Sequence, residues 1–226
     1  MCTNIRIAVT GHSFVRHLLL FIDNDEDNLD RYNRGFNLYR ENCETEFIYK
    51  SGCNIPQFVS HLEAQVIKML PHIIIIELGT NDLSNPSVTP SKLADQLLRM
   101  SKALLKGVTK FVIISGIINR SVTKSSIEPD AFNGKVKLYN RLMMQLCQDE
   151  PYLIFMPHSR ILRGNNVLKA DGIHLNDRGN YLLYMSYKNS LAHAIHHINR
   201  MEGCSCNTSV TVKKGKRTNP EEDLQQ

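Results

Sequence analysis

His72-Ile73-Ile74-Ile75-Ile76-Glu77-Leu78 runs directly into Gly79-Thr80-Asn81-Asp82. A short unbroken run of β-branched residues suits a strand buried on both faces, as in a parallel sheet, whereas a half-exposed strand would alternate. The polar residues that follow the glycine then fall at the carboxyl end of that strand, where open α/β sheets keep their ligand sites. Taken alone, an Asn-Asp pair after Gly-Thr is also ordinary turn or cap chemistry.

Working outward, similar apolar runs predict strands at Ile5–Thr10, Glu46–Tyr49, Lys110–Gly116 and Tyr152–Met156, besides His72–Leu78. Longer stretches with helical spacing lie between them, at Phe14–Ile22, Ile55–Met69, Ser91–Leu105, Ala131–Cys147 and Asp177–Met201. Pro56 suits a first helical turn, Pro90 sets Ser91 up as a cap, and Gly107 reads as a helix stop. Strands alternating with helices are the signature of βαβ units around one parallel sheet. We therefore expect one α/β domain over residues 1–202. The polar stretch 203–226 reads as a disordered tail.

Composition narrows the classes of function. Of 226 residues, 42% are hydrophobic and 22% charged, the balance of an ordinary globular protein. The longest apolar run, Pro71 to Leu78, is far shorter than the roughly 20 residues of a spanning helix. The amino terminus lacks a basic-then-apolar signal pattern. Six scattered cysteines, Cys2, Cys43, Cys53, Cys147, Cys204 and Cys206, show no paired framework and read as reduced thiols. The expected location is the cytoplasm, with the nucleus as an alternative because of the basic cluster Lys213-Lys214-Gly215-Lys216-Arg217. A net charge of +5 does not by itself argue for a nucleic-acid partner.

Four polar stretches each follow a strand. Gly11-His12-Ser13 ends the first, Ser51-Gly52-Cys53-Asn54 the second and Gly79-Thr80-Asn81-Asp82 the third. Asp171-Gly172-Ile173-His174 comes after the fifth strand and its loop. In a doubly wound sheet of order 2-1-3-4-5 the turns after strands two, one and three become neighbours at the switch point. Attack on an ester needs a hydroxyl, a base to take its proton and donors for the oxyanion. Ser13 has the hydroxyl and its own N–H, Gly52 a second N–H, Asn81 a side-chain N–H. Asp171 and His174 have the spacing of an orienting carboxylate and a base. Ser13 also reads as an N-cap of the first helix.

These four blocks, in this order, resemble those of the SGNH (GDSL-like) hydrolase superfamily. The likeness spans Ile5 to the last helix. It implies a flavodoxin-like three-layer α/β/α sandwich and a cofactor-free esterase or acetylhydrolase mechanism. On that resemblance Ser13 is the nucleophile, Gly52 and Asn81 complete the oxyanion hole, and Asp171 and His174 finish the triad. Gly11-His12-Ser13-Phe14-Val15-Arg16 and Asp171-Gly172-Ile173-His174-Leu175-Asn176 are also similar to SGNH domains of invertebrate gene families and of some retrotransposon-encoded proteins. One departure is His12, where the family usually has Asp. A residue adjacent to the nucleophile on a tight turn generally points elsewhere, so His12 is not read as the base.

Three residues are candidates for substrate contact: His12, Asp82 and Arg120. Arg120, after the fourth strand, could reach the cleft and hold an anionic substrate group, or could be a surface cation. Asp23-Asn24-Asp25-Glu26-Asp27-Asn28 begins like a calcium loop, but it lacks the glycine at the sixth position and the closing glutamate. His193, His196 and His197 cluster near the end of the final helix without identifiable metal partners, and Cys204-Ser205-Cys206 lacks zinc-site spacing. No metal or cofactor is expected. Loops Ile118–Asp130 and Pro157–Ala170 are expected to line an acyl pocket. Two classes of function follow: a serine esterase acting on a small or acylated ester, or a catalytically weak SGNH-fold binding module, associated with nucleic acid through the basic tail.

Overall fold

The computed structural model describes residues 4–24, 32–38, 43–123 and 126–203. Five parallel strands, β1 (Ile5–Gly11), β2 (Cys43–Tyr49), β3 (Ile73–Glu77), β4 (Phe111–Ser115) and β5 (Leu153–Met156), form one sheet of order β2-β1-β3-β4-β5. This is the expected topology. The isoleucine run of β3 explains how the layers assemble. Ile73 and Ile75 project into one buried cluster and Ile74 and Ile76 into the other, because successive strand side chains point to opposite faces. Burying each such side chain contributes about 1.5–3 kcal/mol.

Helices α1 (Ser13–Asp23) and α8 (Asp177–Met201) cover the first face, contributing Val15, Leu18, Tyr184 and Leu191. Helices α2 (Ile55–His61), α3 (Glu63–Lys68), α5 (Pro90–Leu104) and α6 (Pro129–Gln148) cover the other, with Phe58, Val66, Leu97 and Phe132. Two short helices, α4 (Thr80–Leu83) and α7 (Ser159–Arg163), lie in connections that the sequence left unassigned.

The structure differs from expectation in several places. The span Ile55–Met69 is two helices that meet at Leu62, although Leu62 still donates to Phe58 O and its carbonyl still accepts from Val66 N–H. β2 starts three residues early, at Cys43, since its outer half is a half-exposed edge rather than an apolar run. Thr89 caps α5 by accepting from Lys92 N–H, and Pro90 is the first helical residue, so Ser91 is not the cap. No described helix is long and apolar enough to cross a membrane. Cys53 and Cys147 are free thiols. The acidic stretch beyond Asn24, Cys2, and the tail from Cys204, including the basic cluster, lie outside the described residues.

Candidate active site

The turn between β1 and α1 is built around a close backbone approach. Gly11 pairs with Glu77 across the sheet, and a Cβ on Gly11 would sit 2.1 Å from the Glu77 carbonyl oxygen. Only glycine fits. The next N–H, that of His12, donates to the same carbonyl at 3.2 Å. His12 is the N-cap of α1: its Nδ1 accepts from the Phe14 N–H at 3.3 Å. Ser13 is therefore the first helical residue rather than the cap, and its hydroxyl is left for other chemistry. Its N–H, as the first helical amide, has no intrahelical acceptor.

That hydroxyl meets His174. Ser13 Oγ lies 3.2 Å from His174 Nε2, and His174 Nδ1 lies 2.6 Å from Asp171 Oδ2. Asp171 Oδ1 accepts the backbone N–H groups of Ile173 and His174, both at 2.9 Å. Burial is the largest single influence on Asp171 and raises its pKa, but the hydrogen bonds from the His174 ring and these two amides together outweigh it and hold the carboxyl well below its usual range. An ionised carboxylate can only accept, so the proton sits on Nδ1 and Nε2 faces the serine as an acceptor.

The loop carrying Asp171 and His174 is fastened by short connections. Leu168 and Leu175 form an antiparallel bridge, Lys169 N–H donates to His174 O, and Gly172 O accepts from Ser121 N–H at 2.9 Å and Val122 N–H at 3.3 Å. Gly172 has φ +68° and packs against Ser121 and Val122, leaving no room for a side chain.

Asn81 and Asp82 hold the turn after β2. Asn81 Nδ2 donates to Cys53 O at 2.9 Å, leaving its second N–H for the cleft, which Asn81 lines together with Gly52. Asp82 Oδ1 accepts the Ile55 N–H at 3.0 Å. Asp82 is buried, which raises its pKa, and it does not line the cleft. The Asn-Asp pair forms the helical turn α4, where a plain turn was the alternative reading.

The cleft encloses about 580 Å³ and is lined by Ser13, Gly52, Asn81, His174 and Arg120, among others. Sequence reasoning missed Arg16 and His17, which also line it. His17 follows Ser13 by four residues, so helical spacing alone sets it on the same face. Its ring centroid is 4.6 Å from that of His174. Burial, then the neighbouring His174, lowers the His17 pKa. A second cavity of about 470 Å³ shares Arg120 with the cleft and is lined by residues of both loops expected to form the acyl pocket, including Ile118, Leu162 and Val167.

Of the three candidate substrate contacts, Arg120 alone faces the cleft. His12 is 1% exposed and points under the turn, toward a buried carboxylate: its Nε2 is 3.8 Å from Glu77 Oε1. Desolvation by burial dominates and lowers its pKa to about 4, against an opposing pull from Glu77, so His12 is neutral at neutral pH and the contact is not an ion pair. Glu77 instead accepts the Tyr187 hydroxyl at 2.7 Å and lies 3.7 Å from His158 Nε2. Among the described residues no cluster of three or more His, Cys, Asp or Glu is placed to hold a metal, the His193–His197 group included.

Solved structures share this architecture. An acetyl xylan esterase, AlAXEase, superposes with a TM-score of 0.63 at 18% identity, over 82% of this chain and 99% of that one. A GDSL-like lipase from Bacteroides thetaiotaomicron gives 0.66 at 16% identity, over 84% of this chain and 89% of that one. The chain has the SGNH hydrolase fold. A catalytic mutant of Axe2, an acetylxylan esterase from Geobacillus stearothermophilus, shares the SGNH fold with a TM-score of 0.60 at 13% identity, over 86% of this chain and 95% of that one. No family model matches the chain, and neither does the sequence of any curated protein. In this SGNH fold the order of the strands brings Ser13, Gly52 and Asn81 to one sheet edge, as the topological switch point requires.

Proposed function

We propose that the protein is a serine hydrolase of the SGNH type that cleaves a carboxylic ester, O-acetyl esters included. The observation that carries this reading is the hydrogen-bonded chain from Ser13 Oγ through the His174 ring to Asp171, opening onto a cleft that Gly52 and Asn81 share. His174 Nε2 takes the hydroxyl proton as Ser13 Oγ attacks the acyl carbon. The oxyanion of the tetrahedral intermediate is held by the N–H groups of Ser13 and Gly52 and by the free Asn81 side-chain N–H. The intermediate collapses to an acyl-serine, the imidazolium returning its proton to the departing alcohol. Water, deprotonated by the same Nε2, then attacks the acyl carbon, and the imidazolium returns that proton to Ser13 Oγ as the acid is released. Asp171 keeps its negative charge throughout and stabilises the imidazolium.

The test uses a fluorophosphonate probe together with short-chain p-nitrophenyl esters. Phosphonylation of Ser13, lost in Ser13→Ala along with ester turnover, is expected. A wild-type protein that resists the probe, or a Ser13→Ala variant that turns over as fast as wild type, overturns the reading.

A further inference from the structure

Arg120 is a charged side chain placed where a globular fold rarely leaves one. It is 7% exposed. Its backbone is clamped from both sides: the Arg120 N–H donates to Asn133 Oδ1 at 2.9 Å and the Arg120 carbonyl accepts from Asn133 Nδ2 at 2.8 Å. Its guanidinium stacks on Phe132 at 5.0 Å from the ring centroid, and Nη1 donates to Ser84 Oγ at 3.1 Å. Both the backbone clamp and the stacking partner fix where the planar fork points.

What the guanidinium lacks is a counter-charge. Among the described residues no carboxylate lies within 4.0 Å of it, and Nε, fully buried, has no hydrogen-bond partner. Buried charges are ordinarily paired and fully hydrogen-bonded, because desolvation is otherwise uncompensated. The cleft around it is positive as well, since its lining contains Arg16 and Arg120 but no Asp or Glu. Asp171, next to His174, is already engaged by the His174 ring and two amides. Arg120 also borders the second cavity, so the residue stands between the space in front of Ser13 and an adjoining space of about 470 Å³.

We infer that Arg120 is the specificity residue for an anionic substrate: the ester cleaved at Ser13 carries a carboxylate or phosphate group, which the guanidinium binds. The inference rests on the hydrolase reading above and narrows its substrate class. A planar guanidinium with free donors matches the two oxygens of such a group, and a water-poor setting strengthens the pairing. Neutral acyl esters would reach the nucleophile but leave the buried cation uncompensated.

Two matched pairs of esters test this and locate the anion. On the acyl side, mono-p-nitrophenyl succinate is compared with its methyl ester. On the alcohol side, para-acetoxybenzoate is compared with its methyl ester. Wild type is expected to favour the charged member of one pair by about tenfold or more in kcat/KM. Arg120→Met should collapse that ratio toward unity, and Arg120→Lys should restore part of it. Binding is read separately on Ser13→Ala by calorimetry with succinate and with phenyl phosphate, which distinguishes carboxylate from phosphate and requires no turnover. Saturable binding that weakens about tenfold on adding Arg120→Met supports the site even if no ester is hydrolysed, in which case the hydrolase reading fails alone. Wild-type ratios near unity in both pairs, with neutral esters readily cleaved, overturn the inference while the hydrolase reading stands. Absence of both turnover and anion binding overturns both. The wild-type ratios decide even if the methionine variant does not fold.

Discussion

Asp171 holds His174 at two points with one carboxylate: Oδ2 meets the ring Nδ1 at 2.6 Å, and Oδ1 accepts the backbone N–H of the same histidine at 2.9 Å. Ring orientation and tautomer are therefore set by a residue three positions earlier on the same loop. Neither depends on the sheet.

Asp171→Asn keeps the size of the side chain but places an N–H donor within reach of Nδ1, favouring the wrong tautomer. Ester turnover is expected to fall roughly 10³–10⁴-fold, with thermal stability little changed, because the serine and its oxyanion donors are untouched. Stopped assays on p-nitrophenyl acetate beside a melting curve separate the two effects.

Asn81→Ala removes a donor aimed into the cleft and also the tether to Cys53 O. A drop in kcat of about 10²–10³ is expected for a lost oxyanion donor. Asn81→Asp retains a similar shape but puts a negative charge where the oxyanion forms, and should be at least as slow. Measuring kcat apart from KM is the relevant comparison.

His12 makes stability fall in acid. Its folded pKa of about 4 lies below the unfolded value of 6.5. Above the unfolded value both states are neutral there and the full stability is present. As pH falls below it, the unfolded chain takes up a proton that the folded chain refuses, and the loss is complete once pH drops through the folded value. The shift corresponds to about 3 kcal/mol. His12→Asn, which preserves a side-chain cap, should flatten the decline between about pH 6.5 and pH 4. Urea midpoints measured across that range for both proteins would reveal the difference in slope; parallel declines would contradict it.

Gly11 and Gly52 should respond differently to alanine. At Gly11 the added Cβ meets the Glu77 carbonyl at 2.1 Å, and neither backbone can yield without opening β1 from β3; a loss of more than about 4 kcal/mol, or failure to fold, is expected. At Gly52 the added Cβ meets nothing within 4 Å, so only the left-handed backbone, φ +74°, is penalised. That variant should fold with a loss of about 1–2 kcal/mol. Chemical denaturation distinguishes them.

The sheet was readable because its strands are buried on both faces. Continuous β-branched runs such as Ile73–Ile76 leave little choice of period, and the order that brings the four polar stretches together is the one observed. Where burial is partial, reading fails. The outer half of β2 alternates between half-buried and exposed residues, and its start at Cys43 went unseen. The break at Leu62 leaves no mark in the pattern because α2 and α3 both keep apolar residues at helical spacing. Helix α7 has a single buried residue, Ile161, too little to make a stripe. The cap of α1 was misassigned because serine is the usual N-cap, whereas here an imidazole nitrogen takes the role. Arg120 could be read either as a surface cation or as a cleft residue, since nothing in its neighbours along the chain reveals the Phe132 ring and Asn133 amide that enclose it.

The fastening of the Gly172 loop has a wider consequence. Nucleophile and oxyanion donors are extensions of β1, β2 and β3, whereas the base lies off the sheet, on a loop fastened by the Leu168–Leu175 bridge, by hydrogen bonds to the segment after β4 and by the buried Leu175 just ahead of α8. Such a part can be loosened, retuned or exchanged by altering a dozen residues without disturbing the sheet. Heat should reach it first, so that the molecule becomes an inert but folded body, with an intact serine pocket and no proton acceptor, before its core gives way.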